Sequence, residues 1–375
     1  MKFSSLQENL KQGIFTVSHI AGKNSSLPIL NNILIDATQG NIKLISTNLE
    51  IGVSCIIRGK IDGEGSFTVD SKIISDYISL LPNKKINIET VGNEEVVVDC
   101  DNYKTKIKGQ SSDDYPLIPS VGRSDGFKVS VSDFKKAISQ VVFASSTNES
   151  RIELSGVLFS FNEKELVMVS TDSYRLAEKR IKLNQSSNMT VDVIVPNKTV
   201  QEVYRILSGS KEDVGVESGE VEIFVLDNQI LFVYGNTEII SRVIEGQYPD
   251  YKQIIPTIHK TQAIIEVNQL VKAVKAAALF SKTGINDINL DFPKDKKQII
   301  ISSTSGQTGE NITELEAETS GDDNGVVVNF RYLLDGLNNL NSTTVRIDLV
   351  DGNTPCIIRP ESEEDYLYIV MPIKQ

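Results

Sequence analysis

Cysteine and histidine are both scarce in this 375-residue chain. Cys55, Cys100 and Cys356 are odd in number and far apart, so neither a disulfide framework nor a CxxC metal pair is available. They read as small buried hydrophobes in strands, in keeping with a reducing cytoplasm. His19 and His259 lie in unrelated contexts and are too few for a histidine-rich metal site. No apolar run approaches the roughly 20 residues of a membrane-spanning helix. The start, Met1-Lys2-Phe3-Ser4-Ser5-Leu6, has neither an apolar signal core nor a cleavage-site pattern. A soluble, cytoplasmic protein is expected. Catalytic signatures are missing too: there is no Walker A loop, GxSxG, HExxH or Rossmann fingerprint. Asp113-Asp114 lies in a loop-like context, and Asp172, following a strand with no histidine nearby, reads as a turn or cap residue. No catalytic residue, cofactor or metal is implied, and an enzyme is not expected.

What remains is ordinary globular composition, 40% hydrophobic and 23% charged, in a length that suits two to four domains. The formal net charge of −12 argues against gripping nucleic acid by electrostatics alone.

Self-comparison exposes a threefold repeat with a period of roughly 125–130 residues, the size of a domain. It aligns Phe3-Ser4-Ser5-Leu6, Val131-Ser132-Asp133-Phe134 and Val267-Asn268-Gln269-Leu270. Apolar residues at helical spacing follow each: Leu10, Ile14 and Val17; Ile138, Val141 and Val142; Val274, Ala277 and Ala278. Ser4, Ser132 and Asn268 are the expected N-caps. Strands closing on Ile45-Ser46-Thr47, Val169-Ser170-Thr171 and Ser302-Ser303-Thr304 come next. A second helix recurs as Ile74/Ile78/Leu81, Val200/Tyr204/Leu207 and Leu333/Leu337/Leu340. Asp114-Tyr115-Pro116 with Pro119, and Pro249-Asp250-Tyr251 with Pro256, read as connectors. The fold class is therefore α+β: three tandem domains, 1–124, 125–255 and 256–375, each with two helices on one side of antiparallel sheet. Similar ends and otherwise exposed edge strands favour closure into a ring, alone or as a dimer.

Several stretches then fall in order and in register with the repeat. They are Met1-Lys2-Phe3, Leu27-Pro28-Ile29-Leu30-Asn31-Asn32, Thr171-Asp172-Ser173-Tyr174-Arg175-Leu176, Val193-Ile194-Val195-Pro196-Asn197-Lys198, Tyr248-Pro249-Asp250-Tyr251 and Tyr368-Ile369-Val370-Met371-Pro372-Ile373. Together they make the chain resemble the bacterial beta sliding clamps, DNA polymerase III subunit beta, over essentially its full length. The resemblance implies a head-to-tail homodimeric ring of DNA-clamp domains that acts as a DNA replication processivity factor. Its partners would be double-stranded DNA, bound non-specifically and topologically, the replicative polymerase catalytic subunit, the clamp loader and other clamp-binding-motif proteins. No membrane partner is implied.

The expected helices carry Lys11, Lys72, Lys135, Lys136, Lys198, Arg205, Lys272, Lys275 and Arg331, so they are net basic in an acidic chain. The acid gathers instead in stretches such as 217–222 and 361–365. A basic lining with weak, rearrangeable phosphate contacts would permit sliding. By resemblance, DNA contacts fall to Lys23, Asn24, Lys72, Asn148, Arg151, Asn197 and Lys198, although several family members have arginine where Asn24 and Asn197 stand. The partner-peptide pocket between the second and third domains would be walled by Leu154, Thr171, Ser173, Tyr174, Arg175 and Leu176. Pro249, Gln253, Ile254, Asn329 and Tyr332 would add to it, as would the terminal Ile369, Met371, Pro372 and Ile373. An apolar cleft with a few polar anchors suits an extended peptide, with Arg175 and Asn329 placed to fix its main chain or a carboxyl group. Ser173, Tyr174, Gln253 and Lys374 stand where some relatives carry glycine, histidine, arginine and arginine, which points to an altered peptide preference. The dimer contact would join Leu279 and Phe280 to the partner's Lys72 and Ile107. A scaffold binding only proteins and a hydrolase with an undetected carboxylate site are the rival classes.

Overall fold

The structure is a computed structural model that describes residues 1–22, 27–92, 94–118, 122–123, 125–148, 150–185, 189–209 and 219–374. All three repeats are present in element order. Compactness nevertheless divides the chain into two units, Met1–Ser132 with Glu202–Val243, and Asp133–Gln201 with Ile244–Gln375. The reason is strand pairing. In the first unit a thirteen-stranded sheet sets Ile51–Ile57 antiparallel to Thr237–Arg242, from Ile51 opposite Ser241 to Cys55 opposite Thr237. In the second, a nine-stranded sheet sets Arg175–Lys182 against Tyr366–Val370, from Arg175 opposite Val370 to Lys179 opposite Tyr366. A four-stranded sheet completes the second unit. The middle repeat is thus shared out along its strands.

Among the described residues, six α-helices belong to the three repeats in pairs: α1 (Gln7–Ser18) and α2 (Ser71–Leu80), α3 (Val131–Val141) and α4 (Asn197–Gly209), α5 (Val267–Ala278) and α6 (Phe330–Asn338). Their apolar stripes face the sheets. Leu10, Ile14 and Val17 of α1, Phe134, Ile138 and Val141 of α3, and Leu270, Val274 and Ala277 of α5 are all buried. These nine residues are equivalent, so the first repeat aligns Gln7, not Phe3, with Val131 and Val267. The sequence alignment was one helical turn out there, because an apolar series at 3.6-residue spacing matches itself after a shift of four. Tyr204 also departs from expectation: it is exposed, and Val203 and Ile206 take the core face of α4.

Ser4, Ser132 and Asn268 do not cap these helices. Ser4 lies in the strand Lys2–Leu6, and the other two lie inside the first helical turn. Each helix continues directly from a strand, and its first N–H finds a backbone carbonyl on a neighbouring segment: Gln7 N to Lys84 O at 3.0 Å, Val131 N to Gly219 O at 2.9 Å and Val267 N to Thr343 O at 2.9 Å. An orphan donor satisfied by main chain needs no capping side chain. Side-chain caps occur on the second helices, where Asp70 accepts from Ile73 N and Asn329 from Arg331 N. The serines of the recurring Ser/Thr stretches close the other helix end. Ser46 Oγ donates to Val17 O and Ser170 Oγ to Val141 O. Ser303 is buried with no partner, so the third repeat lacks this contact.

α1 lies so close on its sheet that a Cβ at Gly13 would come 2.4 Å from Ile57 Cγ2. Cys55, Cys100 and Cys356 are buried, as read from the sequence, and burial pushes the Cys356 thiol up to about 12. No helix is long and apolar enough to cross a membrane among the described residues.

One ionic knot joins first-repeat and middle-repeat residues inside the first unit. Glu202, with a side chain only 2% exposed, accepts from Arg205 through both oxygens and lies 2.6 Å from His19 Nδ1. The same guanidinium donates to Phe15 O and Thr16 O at 3.1 and 2.7 Å. Arg205 therefore caps the C-terminal end of α1, which has no basic residue in its own last turn. Arg205→Ala should strand the buried Glu202 and cost about 3–5 kcal/mol. Urea denaturation measures this, and a loss below about 1 kcal/mol would put the knot in the class of surface pairs.

Candidate functional site

The chemistry-bearing residues of the second unit converge on the turn between Glu165–Thr171 and Arg175–Lys182. Asp172 builds that turn, as its sequence context suggested. Its Oδ1 accepts from Tyr174 N at 2.9 Å and Arg175 N at 3.0 Å. Thr171 Oγ1 donates to Arg175 O and accepts from Ser173 N. Ser173 consequently sits at φ +78°, in the left-handed region, and its hydroxyl accepts from Arg151 at 3.0 Å. Arg151, expected at DNA, is thereby drawn to the rim of this turn, a placement no sequence spacing announced.

Tyr174 leaves the turn 63% exposed and stacks on Tyr332 of α6, with ring centroids 6.3 Å apart. Beneath them Arg175 is consumed internally. Its Nε donates to Asp172 Oδ2 at 3.0 Å and its NH1 to Asp335 Oδ2 at 2.5 Å, while the guanidinium lies 4.8 Å over Tyr332 and 5.7 Å from Phe143. Arg175, expected to fix a peptide's main chain or a carboxyl group, thus already meets two carboxylates and the Tyr332 ring within its own unit. Asn329 likewise uses its carbonyl oxygen on the first turn of α6. α6 is seated by Gly336, where a Cβ would fall 2.3 Å from the Tyr368 ring, and by Tyr368 OH donating to Tyr332 O at 2.7 Å.

The C-terminal residues close on the same turn. Met371 N donates to Tyr174 O at 2.8 Å, and Ile373 N to Val327 O at 2.8 Å. Met371, Pro372 and Ile373 are half-buried, Ile254 and Gln253 are exposed, and Pro249 is half-buried. Leu154, Thr171, Leu176 and Ile369 are buried. Leu176 and Ile369 belong to an apolar cluster with Leu158, Val169, Ile357 and Leu367, roofed by Tyr248 and Tyr251 of the connector.

Of the basic helix residues, Lys11, Lys72, Lys198, Lys272, Lys275 and Arg331 are exposed. Arg205 is spent on Glu202, and Lys136 donates to Glu363 at 2.5 Å. Glu363 also meets the buried Lys179, which pairs with Asp365. Asn197 donates its amide to Val142 O and Ser145, turned into the fold, and Asn148 Oδ1 accepts from Ser150 N within its own loop. Lys23 and Asn24, with Pro119 and 217–218 of the acidic stretch, lie outside the described residues. Ile107, expected at a dimer contact, is buried at 5% exposure in its own unit, whereas Tyr103, four residues earlier on the same strand face, is exposed. Leu279 is 73% exposed, and Phe280 is half-buried beside Gly309.

These features define a scaffold made by repeating one clamp-type domain and joining the copies through shared sheets. Models of the DNA polymerase III beta subunit match it in order: the N-terminal domain at residues 1–119, the central domain at 128–250 and the C-terminal domain at 252–374. The beta sliding clamp of Staphylococcus aureus is 30% identical over 359 residues, covering 93% of each chain. The solved sliding clamp of Bacillus subtilis has a TM-score of 0.92 at 25% identity, covering 100% of this chain and 99% of that one. The beta subunit from the DNA polymerase of Streptococcus pyogenes gives 0.92 at 25% identity, with both chains fully covered. The chain belongs to the DNA polymerase III beta subunit family, the sliding clamps, which are non-catalytic subunits.

Burial alone would raise the Glu363 carboxyl, but the hydrogen bonds and charges of Lys136 and Lys179 outweigh it and hold the group below its ordinary 4.5. A depressed acid contributes stability in full above its unfolded value and loses it as pH falls through the folded one. Glu363→Gln should therefore be less stable than the parent at pH 7, and the gap should close as pH falls below 4.5. Denaturation midpoints across that range measure it.

Proposed function

We propose that this chain is a DNA replication processivity factor, a head-to-tail homodimeric ring that encircles duplex DNA and tethers the replicative polymerase to it in the cytoplasm. The ordered match of all three family domains along one chain carries the reading. The net charge of −12 does not oppose it, because linkage by encirclement needs no tight grip. Exposed Lys72 and Lys198, with Lys11, Lys272, Lys275 and Arg331, supply weak phosphate contacts that rearrange as the ring slides.

Two strand edges support association of copies. Tyr103–Gln110 pairs fully with Glu95–Cys100 but on its other side only at Gly109 and Gln110. Gly309–Glu316 pairs with Gln298–Ser305 and with no other strand among the described residues. Exposed Tyr103 accompanies one edge and exposed Ile312 the other, where Phe280 lies beside Gly309 and the adjoining Leu279 is exposed. An unpaired edge beside apolar side chains is a template for a second chain. Leu279 is the anchor of this contact and Phe280 its support.

The cleft around Tyr174 and Met371 receives an extended peptide from the polymerase, the clamp loader or another clamp-binding partner. Its adaptable methionine and stacked tyrosines favour aliphatic and aromatic side chains. Loaded onto nicked circular DNA by a clamp loader, the protein should stay on the circle and leave after linearisation. Release from both forms alike, or retention on both, would sink encirclement. Leu279→Ala should weaken the dimer roughly tenfold or more, the effect of losing an interface anchor. Sedimentation equilibrium checks this, and an unchanged dissociation constant would place the interface elsewhere.

A further inference from the structure

The two connectors stand on the same frame. Tyr115 OH donates to Ile45 O at 3.4 Å, and Tyr248 OH to Val169 O at 3.5 Å. Asn48 Oδ1 accepts from Glu50 N and Ile51 N as Asp172 Oδ1 does from Tyr174 N and Arg175 N. Leu49 and Ser173 follow at φ +75° and +78°. Arg242 N donates to Glu50 O as Met371 N does to Tyr174 O. This register equates Lys43 with Val167, Gly52 with Leu176, Ile118 with Tyr251 and Glu238 with Leu367.

The frames match, but their contents do not. In the second unit Val167, Leu176, Tyr251 and Leu367 fill the space under the connector as part of one apolar cluster. In the first unit their counterparts help to line a cavity of about 630 Å³. Its floor is apolar, from Leu34, Ile45, Leu231 and Ile240, and Lys43, Arg123 and Glu238 line it as well. Glu238 is shared by both cations, Lys43 at 3.8 Å and Arg123 in direct contact. One carboxylate between two cations leaves guanidinium and ammonium donors for another. Leu117, at the edge of the cavity, is 95% exposed.

We propose that this cavity is a second docking site, for a short extended peptide of a partner protein. The peptide would bring an aliphatic and an aromatic side chain to the apolar floor and an acidic group to Arg123 and Lys43. The occupant follows from the lining. Ile118 packs over Gly52 and against the Phe224, Leu231 and Ile240 cluster, and the remaining open space is bounded by apolar side chains and by two cations that share one carboxylate, a lining suited to an apolar peptide with an acidic group. The volume falls in the range of specific ligand sites, and the cations set the sign of the ligand's charge. The site is separate from the cleft around Tyr174 and does not depend on what that cleft binds.

The test is a titration of the full-length protein, carrying labelled isoleucine and leucine methyl groups, with the peptide Ac-Tyr-Leu-Asp-NH2 and its uncharged analogue Ac-Tyr-Leu-Asn-NH2. Saturable shifts are expected at Ile118, Leu231 and Ile240. Gly52→Leu, which builds in the side chain of the twin, should abolish them. Arg123→Gln, and separately the asparagine peptide, should each weaken binding roughly tenfold, the worth of one charge-assisted hydrogen bond. A Cβ at Gly52 comes 2.8 Å from Ile118 Cδ1, so a melting curve accompanies that variant. If Gly52→Leu fails to fold, the exposed Arg123→Gln and the peptide pair decide. Shifts confined to the surroundings of Tyr174 and Tyr332, or equal affinity of both peptides for parent and Arg123→Gln, would overturn the proposal. Self-association blocked by Gly52→Leu, with no peptide shifts, would assign the cavity to a second copy and overturn it as well.

Discussion

Two antiparallel pairings hold the rest of this structure in order: Ile51–Ile57 against Thr237–Arg242, and Arg175–Lys182 against Tyr366–Val370. Each carries a sheet from one repeat into the next, so that an edge which would otherwise invite aggregation is used inside the chain. Each is also extended by one further backbone bond, Arg242 N to Glu50 O and Met371 N to Tyr174 O. That bond fixes the turn before the paired strand and, in the second unit, brings the chain's last residues against Tyr174. The meeting of Met371 with Tyr174, from distant parts of the sequence, is thus a consequence of register. Slipping either ladder by one residue would turn its whole side-chain set to the other face.

The helices were legible in the sequence because their apolar stripes are local. Leu10/Ile14/Val17 and Leu270/Val274/Ala277 can be read from spacing alone, and all six are buried. What misled was equally local. A stripe with helical period fits itself after a shift of one turn, which misplaced Phe3 against Val131. A serine or asparagine before a stripe resembles a cap even where a distant carbonyl, Lys84 O or Thr343 O, already takes the first N–H. Those partners lie some 75 residues away, beyond any window that reads periodicity. The serines of Ile45-Ser46 and Val169-Ser170 belonged to a visible repeat, but their task, closing the ends of α1 and α3, needed coordinates.

The same division explains the site. Family resemblance named the residues around this turn one by one, but not the internal contacts each of them makes. Arg175 looks like a free cation in sequence, whereas two aspartates and two aromatic rings surround it in space. Lys136 and Arg205 were counted as basic helix residues and prove to be tied to Glu363 and Glu202. Subtracting them leaves a smaller set of exposed cations, and those are the ones able to meet phosphate. Part of the acidic stretch 361–365 is neutralised by the same pairs, so formal charge overstates both sides of the partition.

Repetition also explains how one chain can hold two unlike sites. The frame at each connector is made of main-chain bonds and a short polar turn, and none of these depends on which side chains fill the space below. Leucine, valine and tyrosine there give a sealed core that stiffens the turn carrying Tyr174. Here Ile118 packs over Gly52, and Lys43 and Glu238 leave the frame standing with a charged opening beside it. Since a buried unfilled volume loses dispersion contacts and gains nothing, an open, charged cavity on an otherwise intact frame is more economically understood as a surface kept for contact than as defective packing.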